Sequence, residues 1–496
     1  MKKIILYLFS SACLFLTACD DFLSKEPTKS SSQKVETLDD LEALLSIPST
    51  NHKTRGSVNF FCTDNAGLPL NVYDVYGGGI SRSVIQQYLW DTQIDESSDS
   101  YWNSCYSAIW IANLIISSVD NMEGTPERKT RIKAEASSLR AYKYFMLALN
   151  YCLHYTGATA QEPGVPLRQG IDFEEGLSRS TLAETYAFIE ADLKEALKLD
   201  VPFESRRWRA SRASVNAFAA RYYLYRGNYT EAEKCANVAL GEMDDLIDYT
   251  TIGNYLFRVY EIKGSDGQTR KQEVYYPNTY NYTNKQMMDW QEQYQTETES
   301  EPGWKITPSE ELLDLYRQYP EDLRFKLFMV EGYMNRFSVS EHAYYGYQVL
   351  YGSEIYSGPS VAEMYLIRAE CKARKNDITG CMSDVETLRK TRFAAADYQA
   401  LPVPADKKAA VQTVLDERRR EAPYALRWMD IRRLLSDDLM SPVTIKRTFY
   451  PSVNGEVDDK AQPVEYTLTP ESRRYARPIG NEAINLSNGA TEQNKY

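Results

Sequence analysis

The chain has 496 residues, of which 43% are hydrophobic and 25% charged, a globular balance that excludes a disordered or fibrous protein and allows a sizeable core. Its formal net charge of −12, with no basic patch to offset it, argues against nucleic acid or an anionic lipid surface as a partner. The 38 Tyr and 7 Trp supply flat, amphipathic rings in unusual number.

Residues 1–18, MKKIILYLFSSACLFLTA, carry two lysines, an apolar run from Ile4 to Leu16 and small residues before Cys19, and read as a lipoprotein signal peptide too short to span a membrane. Its removal takes Lys2 and Lys3 with it and moves the charge from −12 to −14. Leu16-Thr17-Ala18-Cys19 has the form of a bacterial lipobox, which makes Cys19 the expected lipid-attachment residue and N-terminus; the alternative is a plain leader with an incidental cysteine. No other apolar run is long enough for a membrane helix. The rest, 19–496, reads as a single domain.

Asp20 to Ile47 reads as a tether that becomes helical near Leu38 to Leu45. Thr54 to Asp99 has weak periodicity, with Tyr73, Tyr76, three consecutive glycines from Gly77, Tyr88 and Trp90, and is expected to form loops with exposed rings; the glycines lack the Lys and Ser/Thr of a phosphate loop. A helix is predicted from Tyr101 to Val119, with Trp102 in the core.

Helical repeat units follow near 131–200, 213–246 and 360–390. In the second, Ala219 and Ala220 allow a close helix approach, Gly227 supplies the freedom of a tight turn, Tyr229 leads into the next helix, and Ala232, Ala236 and Ala239 recur at spacings of four and three. That order is the tetratricopeptide pattern, whose helical pair must stack on copies of itself. In the third unit Asn376 takes the place of Gly227, and Ser360 with Glu363 predicts a capping box. The first is split: one stripe of Ile132, Ala136, Leu139, Tyr142, Met146 and Leu149, and a second of Leu182, Tyr186, Ile189, Leu193 and Leu197, capped by Thr181 and Glu184, with a turn at Gly164–Leu167 between them. The predicted fold class is mainly α, a tetratricopeptide-type scaffold with long irregular insertions.

The loop-rich insertion at 241–359 carries Tyr275, Tyr276, Tyr280, Tyr282, Trp290, Tyr294 and Trp304 among Asn278, Asn281, Asn284 and Asp289. Long loops in a rigid scaffold are usually functional. Beyond the third unit, Val411 to Arg420 is helical, Pro423 breaks it and Leu426 to Leu435 resumes; Arg418, Arg419 and Arg420 between Glu417 and Glu421 read as a salt-bridged helix face in preference to an anion site. From Ser441 onward the composition is that of strands and turns.

Chemistry for catalysis is scarce. His52, His154 and His342 stand far apart, which leaves little for a zinc site or a Ser/His/Asp triad, and nothing marks out two of the 69 acids as a glycosidase pair. The chain is therefore expected to have no catalytic residues, no metal and no cofactor, with a glycoside hydrolase as a remote alternative. Cys62, Cys105, Cys152, Cys235, Cys371 and Cys381 lack metal-ligand spacing and are expected to be buried thiols. The pyranose C–H face packs on an aromatic plane while amides and carboxylates bond its hydroxyls, so the expected ligand platform comprises Tyr73, Tyr76, Trp90, Tyr280, Tyr282, Trp290 and Trp304. The same rings would serve a peptide.

Several stretches, in order, resemble the SusD/RagB family: Cys19-Asp20-Asp21-Phe22-Leu23 with Pro27; Leu139-Arg140-Ala141-Tyr142 with Phe145; Glu311-Leu312 with Asp322 and Arg324; Ala362-Glu363-Met364-Tyr365-Leu366 with Ala369-Glu370; Glu417 to Glu421 with Arg427, Trp428 and Asp430; and Pro478-Ile479 with Gln493-Asn494 and Tyr496. Ala425-Leu426 and Gly480 depart from the family's pattern, both in scaffold loops. The resemblance implies a lipid-anchored, surface-exposed outer-membrane protein that captures a nutrient and sits as a lid over a TonB-dependent transporter of the SusC type. It leaves a glycan and, as in a RagB-like protein, a peptide both open as the ligand.

Overall fold

The structure, a computed structural model, describes residues 35–54, 60–93, 99–204, 206–252, 256–263, 267–276, 292–300, 307–331, 333–335, 338–339, 345–347 and 354–496. Its helices are α1 (Leu38–Leu45), α2 (Pro48–Asn51), α3 (Leu70–Tyr76), α4 (Arg82–Tyr88), α5 (Ser100–Ser118), α6 (Pro126–Tyr151), α7 (Leu182–Ala196), α8 (Arg212–Tyr225), α9 (Tyr229–Glu242), α10 (Glu310–Arg317), α11 (Leu323–Phe328), α12 (Val361–Arg374), α13 (Ile378–Lys390), α14 (Lys407–Glu421), α15 (Arg427–Arg433) and α16 (Asn481–Leu486). The fold is mainly α, as the repeat pattern requires, and its strands are short and mostly joined in pairs.

The α8–α9 pair has the turn its sequence predicts. Gly227 has φ +72° and donates its N–H to the Leu224 carbonyl at 3.0 Å, while Asn228 caps α9 by accepting from the Glu231 N–H at 3.2 Å. Asn376 repeats that conformation between α12 and α13 with φ +66°, and Asp377 caps α13. A Cβ at residue 227 would meet nothing within 4 Å, so a substitution there strains only the backbone. Gly227→Val is expected to cost about 1–3 kcal/mol, the range for a β-branched residue held at positive φ, whereas Gly227→Asn, which copies Asn376, costs less. Urea unfolding of the two variants checks this, and a valine variant with the wild-type midpoint would contradict it.

The longest helix, α6, is the spine. Thr125 caps it, Pro126 occupies its first turn, and every residue from Ala134 to Tyr151 is buried. The predicted stripe is therefore only part of its contact surface, because α5, α7 and α8 pack against it from several sides. Phe145 lies 5.3–6.0 Å, centroid to centroid, from Phe218, Tyr222 and Tyr225. The three charges in the buried stretch are paired: Arg140 with Asp192 at 2.7 Å, Lys143 with Glu297 at 2.9 Å, and Glu135 with Arg209 at 2.7 Å.

Two segments differ from the sequence reading. Within 54–99 the chain forms α3 and α4, joined by a 3₁₀ turn at Gly77–Gly79. Short helices pressed on Phe449 through Tyr73 and Tyr88 have too few turns to print a periodicity. Pro163–Pro166 is a strand paired with Arg179–Thr181, in place of a turn.

The arginine-rich end of α14 is salt-bridged, as its sequence suggests, but buried. Glu417 accepts from Arg324 at 2.7 Å, Arg389 at 2.9 Å and Arg420 at 3.1 Å; Glu421 accepts from Arg324 and Arg392; and Asp430 accepts from Arg418 and Arg433. These ion pairs tie α14 to α11, α13 and α15, with partners drawn from distant parts of the chain.

Candidate ligand-binding site

The two aromatic segments of the sequence reading meet through backbone. Gly67 pairs with Thr307 in a two-stranded ladder, the Thr307 hydroxyl donates to the Gly67 carbonyl at 2.7 Å, and Ser309 bonds the Asp64 and Asn65 carbonyls. A second anchor is the three-stranded sheet in which Thr298–Ser300 lies between Lys53–Thr54 and Glu354–Tyr356.

On α3, Tyr73 is half-buried, edge-on to Phe449 at 5.0 Å and tilted to Tyr450 at 6.0 Å, and the Tyr450 hydroxyl donates to Asp74 at 2.8 Å. Tyr76 ends the same helix one turn later. Trp90 corrects the expectation of an exposed ring. It is 4% exposed, its indole N–H donates to the Cys62 carbonyl at 2.9 Å, and the Arg447 guanidinium lies 4.4 Å from its ring centroid. Arg447 draws the ring inward because a buried guanidinium is stabilised against an aromatic face, so Trp90 supports the segment from beneath and offers no face to a ligand. Tyr280, Tyr282, Trp290 and Trp304 lie outside the described residues. Tyr294 is core, with 0% exposure and its hydroxyl on the Met243 carbonyl at 2.6 Å.

A concavity unforeseen from sequence lies where α5 meets residues 166–173 and α16. Its volume is about 590 Å3, within the range of small-molecule sites. Trp102, Tyr106 and Trp110 of α5 line it, with Phe173 opposite Trp110, the ring centroids 6.1 Å apart and the planes within 7°. Its wall is held by hydrogen bonds: Asn113 donates to the Arg168 and Gly170 carbonyls at 3.0 and 2.9 Å, Trp110 to Ile171 at 3.1 Å, and Tyr106 to Pro166 at 2.8 Å. The one sequence signal was Trp110 at four residues from Tyr106, off the buried stripe.

The two described histidines are committed elsewhere, and His342 lies outside the described residues. His52 Nδ1 is 2.9 Å from Glu297, and His154 sits between Tyr225 and Ser436. The six described cysteines are free thiols, and burial pushes that of Cys105 up to about 12, which keeps it protonated and inert. Among the described residues no group of three or more His, Cys, Asp or Glu is placed to hold a metal, and no helix is long and apolar enough to cross a membrane.

Helical pairs stacked on a buried spine, with aromatic rings around a concavity at the edge, define a binding scaffold of the tetratricopeptide class. A family model described as starch-binding and associating with the outer membrane matches residues 21–224, and the SusD family model matches residues 331–496. The chain belongs to the SusD/RagB family, whose members are binding proteins associated with the outer membrane. Solved structures share the fold: a SusD superfamily protein from Bacteroides thetaiotaomicron (18% identity, 93% of this chain and 100% of that one, TM-score 0.64) and a SusD-like carbohydrate binding protein from Bacteroides vulgatus (16%, 92% and 97%, TM-score 0.60). A SusD superfamily protein from Parabacteroides distasonis is also similar (16%, 93% and 100%, TM-score 0.58). No curated protein sequence matches the chain.

Proposed function

We propose that this chain is a cell-surface lipoprotein that captures an oligosaccharide or polysaccharide and passes it to a SusC-type TonB-dependent transporter. The observation that carries this reading is the match of residues 21–224 to a starch-binding, outer-membrane-associating family, which begins two residues beyond Cys19. Cys19 then bears the lipid that holds the protein at the outer membrane, each buried acyl methylene adding about 0.8 kcal/mol of membrane affinity. Cys19→Ala is expected to incorporate no labelled palmitate and to leave the detergent phase; a variant that still takes up label and sediments with membranes would sink the lipoprotein reading.

The ligand platform of this reading is formed by Tyr73 and Tyr76 on α3 with Tyr280, Tyr282, Trp290 and Trp304 of the insertion, over Trp90 as a support. Trp304 precedes Thr307 by three residues, a reach of at most about 11 Å. Thr307 is itself paired with Gly67, three residues before α3, which supports the meeting of the two segments at one surface. A central ring truncated at such a platform typically costs about 2 kcal/mol or more of binding, while an exposed ring contributes little to folding. A glycan array beside a peptide-mixture pull-down, both on residues 20–496, identifies the ligand class. Calorimetry then compares Trp290→Ala and Trp304→Ala with wild type: both are expected to lose affinity with unchanged Tm. Retention of a peptide and no glycan would replace the carbohydrate reading with peptide capture.

A further inference from the structure

We propose that the concavity between α5 and the C-terminal α16 is a second carbohydrate site, built for a neutral pyranose and separate from the loop platform; it rests on the carbohydrate reading of the chain. Of the described platform residues, neither Tyr73 nor Trp90 lines it. Its apolar element is the parallel pair of Trp110 and Phe173, and Phe173 is 66% exposed although nearly as large as any core side chain. Leu486 of α16, 75% exposed, adds apolar surface to the same lining. An aromatic pair left open to water beside a cavity is a ready surface for the C–H face of a sugar ring.

The polar groups around that pair narrow the ligand class. The Arg168 guanidinium rests over the Tyr106 ring at 5.6 Å and pairs with no carboxylate among the described residues. Asp172 is exposed on the same wall, and Glu482 reaches in from α16, where it accepts from Asn103 at 3.2 Å. A ligand with a full charge of either sign would meet a like charge across the cavity. Hydroxyl groups accept from Arg168 and donate to the carboxylates, so an uncharged, hydroxyl-rich ring satisfies both signs at once. The geometry is also preorganised. Asn113, which pins the 168–170 backbone, accepts from Arg140 at 2.7 Å, and Arg140 is itself paired with the buried Asp192, so the wall is braced by α6 and α7 and little ordering cost falls on binding.

The test uses residues 20–496 labelled with 5-fluorotryptophan, in which Trp110→Phe assigns the Trp110 resonance among the 7 tryptophans. Maltotriose, cellotriose and mannotriose are the neutral probes, trigalacturonate the charged one and trialanine the peptide one. At least one neutral trisaccharide is expected to shift the Trp110 resonance saturably, with affinity about tenfold weaker in Phe173→Ala and in Arg168→Ala while Tm is unchanged. Shifts at Trp290 or Trp304 with none at Trp110 would overturn this second site and leave the carbohydrate reading standing; no shift at any tryptophan would overturn both. Equal or tighter binding of trigalacturonate or trialanine at Trp110 would overturn the neutral-sugar assignment.

Discussion

Glu417→Ala is expected to lower stability by about 3–5 kcal/mol, the cost of removing one partner from a buried ion pair. The carboxylate is fully buried and receives Arg324, Arg389 and Arg420 together. Burial by itself pushes its pKa up, but the three guanidiniums outweigh that and hold it well below the ordinary range. Arg389 has 0% exposure and two further nitrogens, Nε and Nη2, without partners, so the truncation leaves a buried guanidinium with no counter-charge. Because the folded-state pKa is depressed, Glu417 contributes stability that is fully present above the unfolded carboxyl value and is lost as pH falls below it. Glu417→Gln, which keeps an acceptor but not the charge, is expected to fall between wild type and alanine. Guanidinium unfolding at pH 7 measures all three; a loss under about 1 kcal/mol for alanine would mean that the network contributes little net stability.

Glu299→Gln is expected to stabilise the protein, and only at higher pH. Glu299 lies in the central strand of the three-stranded sheet with 3% exposure, and its Oε2 is buried without a partner. Burial pushes its pKa from 4.5 to about 7, against the opposing pull of a hydrogen bond with Ser357 and the charge of Lys143, with Glu297 adding to the rise. The folded protein therefore holds an extra proton between pH 4.5 and about 7, and stability falls as pH rises through that window. At about 1.4 kcal/mol per pKa unit, the penalty well above pH 7 is roughly 3–4 kcal/mol. The glutamine variant avoids it, so its advantage over wild type is near zero at pH 4.5 and largest at pH 8. Urea midpoints at the two pH values decide the matter: an equal shift at both, or a loss at pH 8, would contradict the assignment.

The proposed ligand platform is legible only as a composition of rings in weakly periodic segments, and composition says nothing of which way a ring faces. By composition Trp90 is indistinguishable from Tyr73, yet Arg447, more than 350 positions away in the chain, packs against it in the interior. The 590 Å3 concavity leaves little trace in the sequence because its walls come from residues near 110, 170 and 485, none of which carries a motif.

What the sequence by itself determined are the features governed by bonds within a few residues. The Gly227 and Asn376 turns, the helical pairs they join and the family signature depend on local backbone preference and apolar spacing, and all are in place. Thr181 and Glu184 form the reciprocal capping box that their spacing predicts. Ser360 and Glu363 have the same spacing, yet only half of their box forms: Ser360 accepts from the Glu363 N–H at 3.2 Å, while the Glu363 carboxylate turns to Arg221 at 2.6 Å. Tertiary structure decided that outcome, because a buried guanidinium needs a carboxylate more than a helix terminus does: leaving the charge unpaired in the core costs several kcal/mol, and one capping bond contributes about 1. The same inequality buried Arg140 and Lys143 inside α6, where helical periodicity alone would have turned them toward water.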